Sequence, residues 1–454
     1  MTPTLDINQL KADFTGRLVA PGDSDYDQLR TVFLGGIDCK PLVIIMSANI
    51  ADVQKAISLA QAHDLPLAVR SGGHSSAGHS VCDRGIVLDL RLMKAMQVNS
   101  TERTVWAQTG LTAAELTREL DKQDFVLGFG DTGSVGIGGI TLGGGIGFLV
   151  RKHGLTIDNL LAAEIITADG QLHQIDEEHE PDLFWAIRGG GGNFGVVTRF
   201  KYQLHSLAQG YGGMLFFPAQ PEILVGFMKL SEQAPHELSS IINVMPCPPM
   251  PFVPVEYHGQ LIMMAMLFYA GPVNEAEKVL APFRALATPI ADLVKPMRYH
   301  EMFPSEEGSY HPTALAETMF MKSVELATAK VIFDQLQASD AGMRAVQLRV
   351  LGGVMADVPV KATAFAHRQS KILTNVAAFY EGEADKPKRQ AWVDETAGKL
   401  NQGDNGVYVG FLGESIVSRI HDAYPGETWE RLIAIKRHYD PANFFHLNQN
   451  IHHQ

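Results

Sequence analysis

The chain has 454 residues, 46% of them hydrophobic and 19% charged, with a formal net charge of −13. That length exceeds what one hydrophobic core fills, so two domains or one domain with a large insertion are expected, and the apolar share excludes a disordered chain. The acidic balance argues against nucleic acid, whose binding draws on Lys and Arg, and the longest strongly apolar run (261–270) is shorter than the ~20 residues of a membrane-spanning helix.

No secretory leader is read at the N-terminus, and Cys39, Cys82 and Cys247 are few and unpatterned, so a cytoplasmic location is expected. In chain order, PLVIIMS (41–47) reads as a strand, and Val53, Ala56, Ile57 and Ala60 form the stripe of a helix that ends before Pro66. LAVR (67–70), GIVLDL (85–90) and TVWAQ (104–108) read as further strands. Thr112 and Glu115 have capping-box spacing, and Leu116 and Leu120 give the helix after them an apolar face. Short strands with few helices make an α+β pattern, not a regular βαβ alternation. Composition shifts near residue 205. Beyond it, the stretches 211–218, 260–269 and 345–351 predict a mostly antiparallel sheet with one face covered by helices, and 425–445 reads as a helix stopped by Pro441.

Three glycine-rich segments carry the chemical signal: VRSGGHSSAGH (69–79), GDTGSVGIGGITLGGGIG (130–147) and RGGGGNFGVV (188–197). Glycine lets backbone N–H groups approach a ligand closely. One such segment alone reads as a tight turn; three point to a large phosphate-bearing cofactor. The third contains G-x-G-x-x-G at Gly190, Gly192 and Gly195, but a helix-like DLFWAIR precedes it and a strand-like VVTRFKYQLH follows. That reverses the strand–turn–helix order of a dinucleotide fingerprint, and 206–221 holds no ribose-binding acid, so nicotinamide binding through it is not expected.

The order RSGGH, VGIGGITLGGGIGFLVRKHGL, LFWAIRGGGGNFGVV and YDPANFFHLNQNI resembles the bacterial members of the berberine bridge enzyme-like branch of the vanillyl-alcohol oxidase flavoproteins, almost end to end. The resemblance implies a PCMH-type FAD-binding domain in two parts, 1–205 and 415–454, with a berberine-bridge-like C-terminal segment over 408–454. A central substrate domain, 206–414, would carry a large antiparallel sheet covered by helices. It further implies an FAD-dependent oxidase that takes a hydride from an alcohol or amine carbon of a small substrate and passes electrons to O2, releasing H2O2. A dehydrogenase with a quinone or protein acceptor, or a flavin-binding protein without turnover, stays open beside it.

By motif, Arg70, Ser71, Gly72, Gly73, His74 and Ser75 form the pyrophosphate loop, with His74 bonded to the flavin 8α carbon. Thr132 stands where many members have a second, cysteinyl tether, so a single histidyl link is expected. Thr132, Gly133, Val135, Gly138, Gly139, Thr141, Gly144 and Gly147 are assigned to the cofactor wall, as are Asn193, Gly195, Val197, Tyr408 and Asn448. Val135 is also assigned to dioxygen access, and Tyr408 and Tyr380 to the proton side of catalysis. The strands 347–353 and 371–380, where relatives place a catalytic acid, hold none. Arg349 is either a surface strand residue or, if it faces the pocket, a reason to expect an anionic substrate. Gly410 replaces the Asn of the family's Tyr-x-Asn motif. His79 has no motif support and reads as hydrogen-bonded or solvent-facing, and Cys82 as a small buried or loop residue.

Overall fold

The computed structural model describes residues 7–303, 310–413 and 416–452. The apolar strands near the N-terminus pair into a four-stranded sheet in the order Arg17–Val19, Val43–Met46, Ile86–Asp89, Leu67–Arg70; its last three strands run parallel. The helix Ile50–Ala62 buries the Val53, Ala56, Ile57 and Ala60 stripe against it. Asn49 caps that helix by accepting the Asp52 N–H, and the capping box on Ala113–Asp121 forms with Thr112 and Glu115.

A five-stranded antiparallel sheet follows, in the order Met96–Asn99, Thr104–Gln108, Val196–Gln203, Leu160–Ile166, Leu172–Asp176. Its core also takes in Trp429, Leu432, Ile433 and Ile435 of the C-terminal helix Glu427–Tyr439, so the end of the chain packs on the sheet formed by its first half. The third glycine segment lies between the helix Pro181–Ile187 and the strand Val196–Gln203, the helix–loop–strand order read from the sequence.

The large antiparallel sheet has the short strands Ala291–Asp292 and Lys295–Met297 on the outer edge of Gly210–Pro218 and runs from there through Leu261–Tyr269, Leu238–Pro246, Arg344–Val350 and Ile372–Phe379 to the edge strand Ala314–Met321. The period of two in a strand decides what each face carries. Val346, Leu348 and Val350 pack with Ile372, Val376 and Ala378 under the helices Pro221–Gln233, Leu326–Ala338 and Lys386–Leu400. Gln347, Arg349, Asn375 and Ala377 alternate with them and therefore emerge on the opposite face. The fold is α+β with a large antiparallel sheet covered by helices on one side.

Candidate active site

That opposite face forms one wall of a cavity of about 1030 Å³, above the range of about 300–1,000 Å³ typical of small-molecule sites. The other walls are the loops 71–75 and 130–139, the third glycine segment, and the C-terminal stretch around Phe445, Leu447, Asn448 and Gln449. The first two loops meet backbone to backbone: a Cβ on Gly72 or on Gly136 would lie 2.2 Å from the other's backbone nitrogen. Ser71 ties them, its Oγ donating to the Thr109 carbonyl and accepting the Gly138 N–H. Gly139 and Gly192 face open space, with nothing within 4 Å of where a Cβ would stand. Backbone there is free to touch a ligand, which is the physical use of glycine in such a wall.

His74 is held in the cavity wall on two sides. Its ring stacks on Phe33 with centroids 4.2 Å apart, and its Nε2 lies 2.9 Å from the Ser134 Oγ. Loop 33–37 is drawn in by the Phe33 N–H, which donates to the Gly73 carbonyl. Phe33 lies in none of the quoted motifs, and Ser134 lies within the second glycine segment, where nothing in the sequence marks it as a partner of His74.

On the strand side, the buried Arg349 places Nη2 2.6 Å from Asp131 Oδ2 and shares the Gln347 Oε1 between Nε and Nη2, at 2.9 and 2.7 Å. Its guanidinium stands 4.8 Å from the centre of the Phe411 ring. One alternative is corrected here: Arg349 is not a surface residue but faces the cavity, where Asp131 pairs its charge and its Nη1 is buried with no hydrogen-bond partner. Strands 347–353 and 371–380 hold no acid, and the carboxylate beside Arg349 is Asp131, which enters from the glycine loop. Glu317 adds a second along the cavity edge, paired with Arg419 at 3.1 Å.

Tyr408 is buried on the cavity wall, and its hydroxyl oxygen accepts the Gly145 N–H at 3.2 Å. Burial pushes its pKa above the usual phenol value, against the opposing pull of that N–H and of the Arg349 charge. The Tyr408 ring folds back over Gly410, where a Cβ would come within 2.8 Å of it, so the usual asparagine would displace the ring in this chain. Tyr380 has the other parity: it packs with the helix-covered face, its hydroxyl approaches Gly36 and Lys386 stands 5.9 Å from its ring centre, so it lines the cavity at a different part of the wall from Gln347 and Asn375.

Of the residues assigned to the cofactor wall, Ser71, Gly72, Gly73, His74, Ser75, Thr132, Val135, Gly138, Gly139, Gly195, Val197, Tyr408 and Asn448 line the cavity. Six do not, because each is used in packing behind it. The Arg70 guanidinium is spent on the carbonyls of Ser80, Leu29 and Arg30. Thr141 bonds the Tyr202 hydroxyl, and Gly133 sits against Ala114 and Phe303. Gly144 adopts a φ of 123° at the end of the helix Ile137–Gly143, and Gly147 abuts the backbone of Phe129 and Gly130. Asn193 donates to Gly190 and Gln449 carbonyls and accepts the Ile451 N–H, tying the third glycine segment to the C-terminus. His79 lines the cavity, and burial pushes its pKa down to about 4. Cys82 is buried in a packed turn, its thiol pushed up to about 12.

Residues 41–176 match the family described as FAD binding domain, and residues 407–452 match the family described as berberine and berberine like. An FAD-linked oxidoreductase of Dictyostelium discoideum is 29% identical over 429 residues, covering 90% of this chain and 88% of that protein. The (R)-6-hydroxynicotine oxidase of Paenarthrobacter nicotinovorans is 28% identical over 449 residues, covering 96% of each. The crystal structure of 6-hydroxy-D-nicotine oxidase from Arthrobacter nicotinovorans superposes with a TM-score of 0.85 at 26% identity, covering 97% of this chain and 98% of that one. The BBE-like 1 structure from Physcomitrella patens shares the fold, with a TM-score of 0.86 at 21% identity over 99% and 100% of the two chains. The open glycine walls at Gly139 and Gly192 and the volume between them fit an FAD.

Proposed function

We infer the reaction from the family to which the chain belongs, the berberine bridge enzyme-like FAD-linked oxidoreductases: it is an oxidase that oxidises a small alcohol or amine and hands the electrons to O2. FAD, when bound, supplies the two-electron acceptor for a hydride from the substrate carbon. The observation that carries the reading is one continuous cavity with glycine backbone on one side and Gln347 and Arg349 on the other, with Tyr408 bonded to the glycine side through the Gly145 N–H. A cofactor against the first wall leaves the second for a substrate.

Residues 1–205 with 415–454 hold the cofactor in this reading, and 206–414 roof the substrate. The histidine carrying a single covalent link to the flavin is His74, whose ring Phe33 and Ser134 keep from turning. Thr132, half-buried in the wall of the same cavity, has no thiol for a second link. Tyr408 orients the substrate and takes part in moving its heteroatom proton. Val135 lies across from Gly72 in the wall and limits how closely O2 approaches the ring.

The test needs no substrate. Enzyme reduced with dithionite in the absence of air is mixed with oxygenated buffer in a stopped-flow instrument. The wild type reoxidises readily, and Val135→Leu slows reoxidation by about tenfold, the effect of roughly 1–3 kcal/mol of overpacking on a gated approach. Slow reoxidation of the wild type would instead establish a dehydrogenase with another acceptor, and equal rates in the two proteins would remove Val135 from the gate.

A further inference from the structure

We propose that Asp131 masks Arg349, so that the site rejects carboxylates and takes uncharged substrates whose hydroxyl or amide groups bond to the strand wall. The proposal rests on the oxidoreductase reading above and narrows its substrate class.

Arg349 is 5% exposed, lines the cavity, and lies beside the flat face of Phe411. A guanidinium in that setting is an anion receptor, because its rigid fork matches a carboxylate in two parallel hydrogen bonds and its charge is costly to leave alone. Here the chain supplies that carboxylate itself. Asp131 comes from a loop 218 positions away in sequence and bonds Nη2 at 2.6 Å, while Gln347 takes Nε and the remainder of Nη2; Nη1 is left buried with no hydrogen-bond partner, so the mask neutralises the charge without filling the whole fork. An incoming carboxylate has two routes, and both are unfavourable. It can displace Asp131, leaving a half-buried carboxylate without its partner, or it can settle beside Asp131 and meet like charge.

The uncharged hydrogen-bonding groups of the same face remain for the ligand. Asn375 stands opposite Gln347 in the register, and its Oδ1 is buried with no hydrogen-bond partner. The Gln347 amide donates to Asn243 Oδ1 at 2.8 Å, so a polar row crosses three strands, Asn243–Gln347–Asn375. Of this row Gln347 and Asn375 line the cavity, and their amides recognise hydroxyl, carbonyl and amide groups and carry no net charge to hold an acid.

A merely structural ion pair would contribute to stability and leave ligand choice untouched, so the test reads ligand choice. Benzoate and benzamide have nearly the same shape and differ in charge. Each is titrated into the holoenzyme, and binding is read from the perturbation of the visible flavin band. The wild type should not prefer benzoate to benzamide. Asp131→Asn should gain benzoate affinity by about tenfold or more, with little change for benzamide, and Arg349→Gln in that background should abolish the gain. Asp131→Glu keeps the mask and should not gain. If Asp131→Asn yields no soluble holoenzyme, Asp131→Ser carries the same expectation. Wild-type enzyme that prefers benzoate overturns the proposal. So does an unmasked variant that gains no benzoate affinity, including one that binds neither probe. The oxidase reading fails separately, in the reoxidation trace recorded without any ligand.

Discussion

A tyrosine on a cavity wall is, by residue type alone, more often packing than chemistry, and it is the surroundings of Tyr408 that single it out. Its oxygen receives the Gly145 N–H, its ring covers Gly410, and it packs edge-on to Phe411, which in turn underlies Arg349. The pKa is raised, chiefly by burial, so the phenol is protonated at neutral pH and becomes a proton acceptor only as pH climbs past its ordinary value. The sign follows: if Tyr408 is the base, the rate of flavin reduction by substrate rises with pH and reaches no plateau below about pH 10. Tyr408→Phe removes the hydroxyl at little cost in volume, and we expect it to lower that rate by roughly 10²-fold and to flatten the rise. A plateau at acid or neutral pH that survives the substitution would remove Tyr408 from the proton step.

The C-terminal motif YDPANFFHLNQNI is more than a family signature once its element is seen. Lys436, on the last turn of the helix Glu427–Tyr439, is 3% exposed and donates to the Asn193 carbonyl at 2.7 Å, to Asp440 at 2.6 Å and to the Phe445 carbonyl at 2.9 Å. Asp440 in turn accepts the Phe444 and Phe445 N–H groups, and Asn448 donates to the Gly192 carbonyl. Helix, third glycine segment and terminal stretch are thus one buried polar knot behind the cofactor wall. Lys436→Met leaves Asp440 buried without its cation, a change that typically costs about 3–5 kcal/mol. Made in a His74→Ala background, where FAD is free to dissociate, it should weaken FAD binding by about tenfold or more in a fluorescence titration. Undiminished affinity would show that the knot does not hold the wall in place. Element by element, the strands and the capped helices were legible because a period of two, a stripe at i, i+3, i+4 and i+7, and a capping box are local signals. The knot was not, because Lys436, Asn193 and Asp440 acquire their roles only through contacts between elements distant in sequence.

For the whole molecule, the same distinction separates what the sequence revealed from what it did not. The glycine segments announced a cofactor, and the helix–loop–strand order read around Gly190 to Gly195 is the order the structure has. Motif spacing, however, cannot say which glycine faces a ligand and which faces a neighbour: Gly139 opens onto the cavity, while Gly133 and Gly147 abut the protein itself. Nor could it place a carboxylate from one part of the chain against a guanidinium from another, and so Asp131 was missed and the side to which Arg349 turns was left open. The central claim, a flavin oxidase with one covalent tether on His74, requires the loop 71–75, Phe33 and Ser134 to converge on the first glycine wall. Its most direct test is to denature the purified protein in acid, digest it, and determine by mass spectrometry where the flavin resides. The account predicts one flavin-bearing peptide, containing His74, and its disappearance in His74→Ala. Flavin left wholly in the acid supernatant, or attached to any other residue, would contradict it.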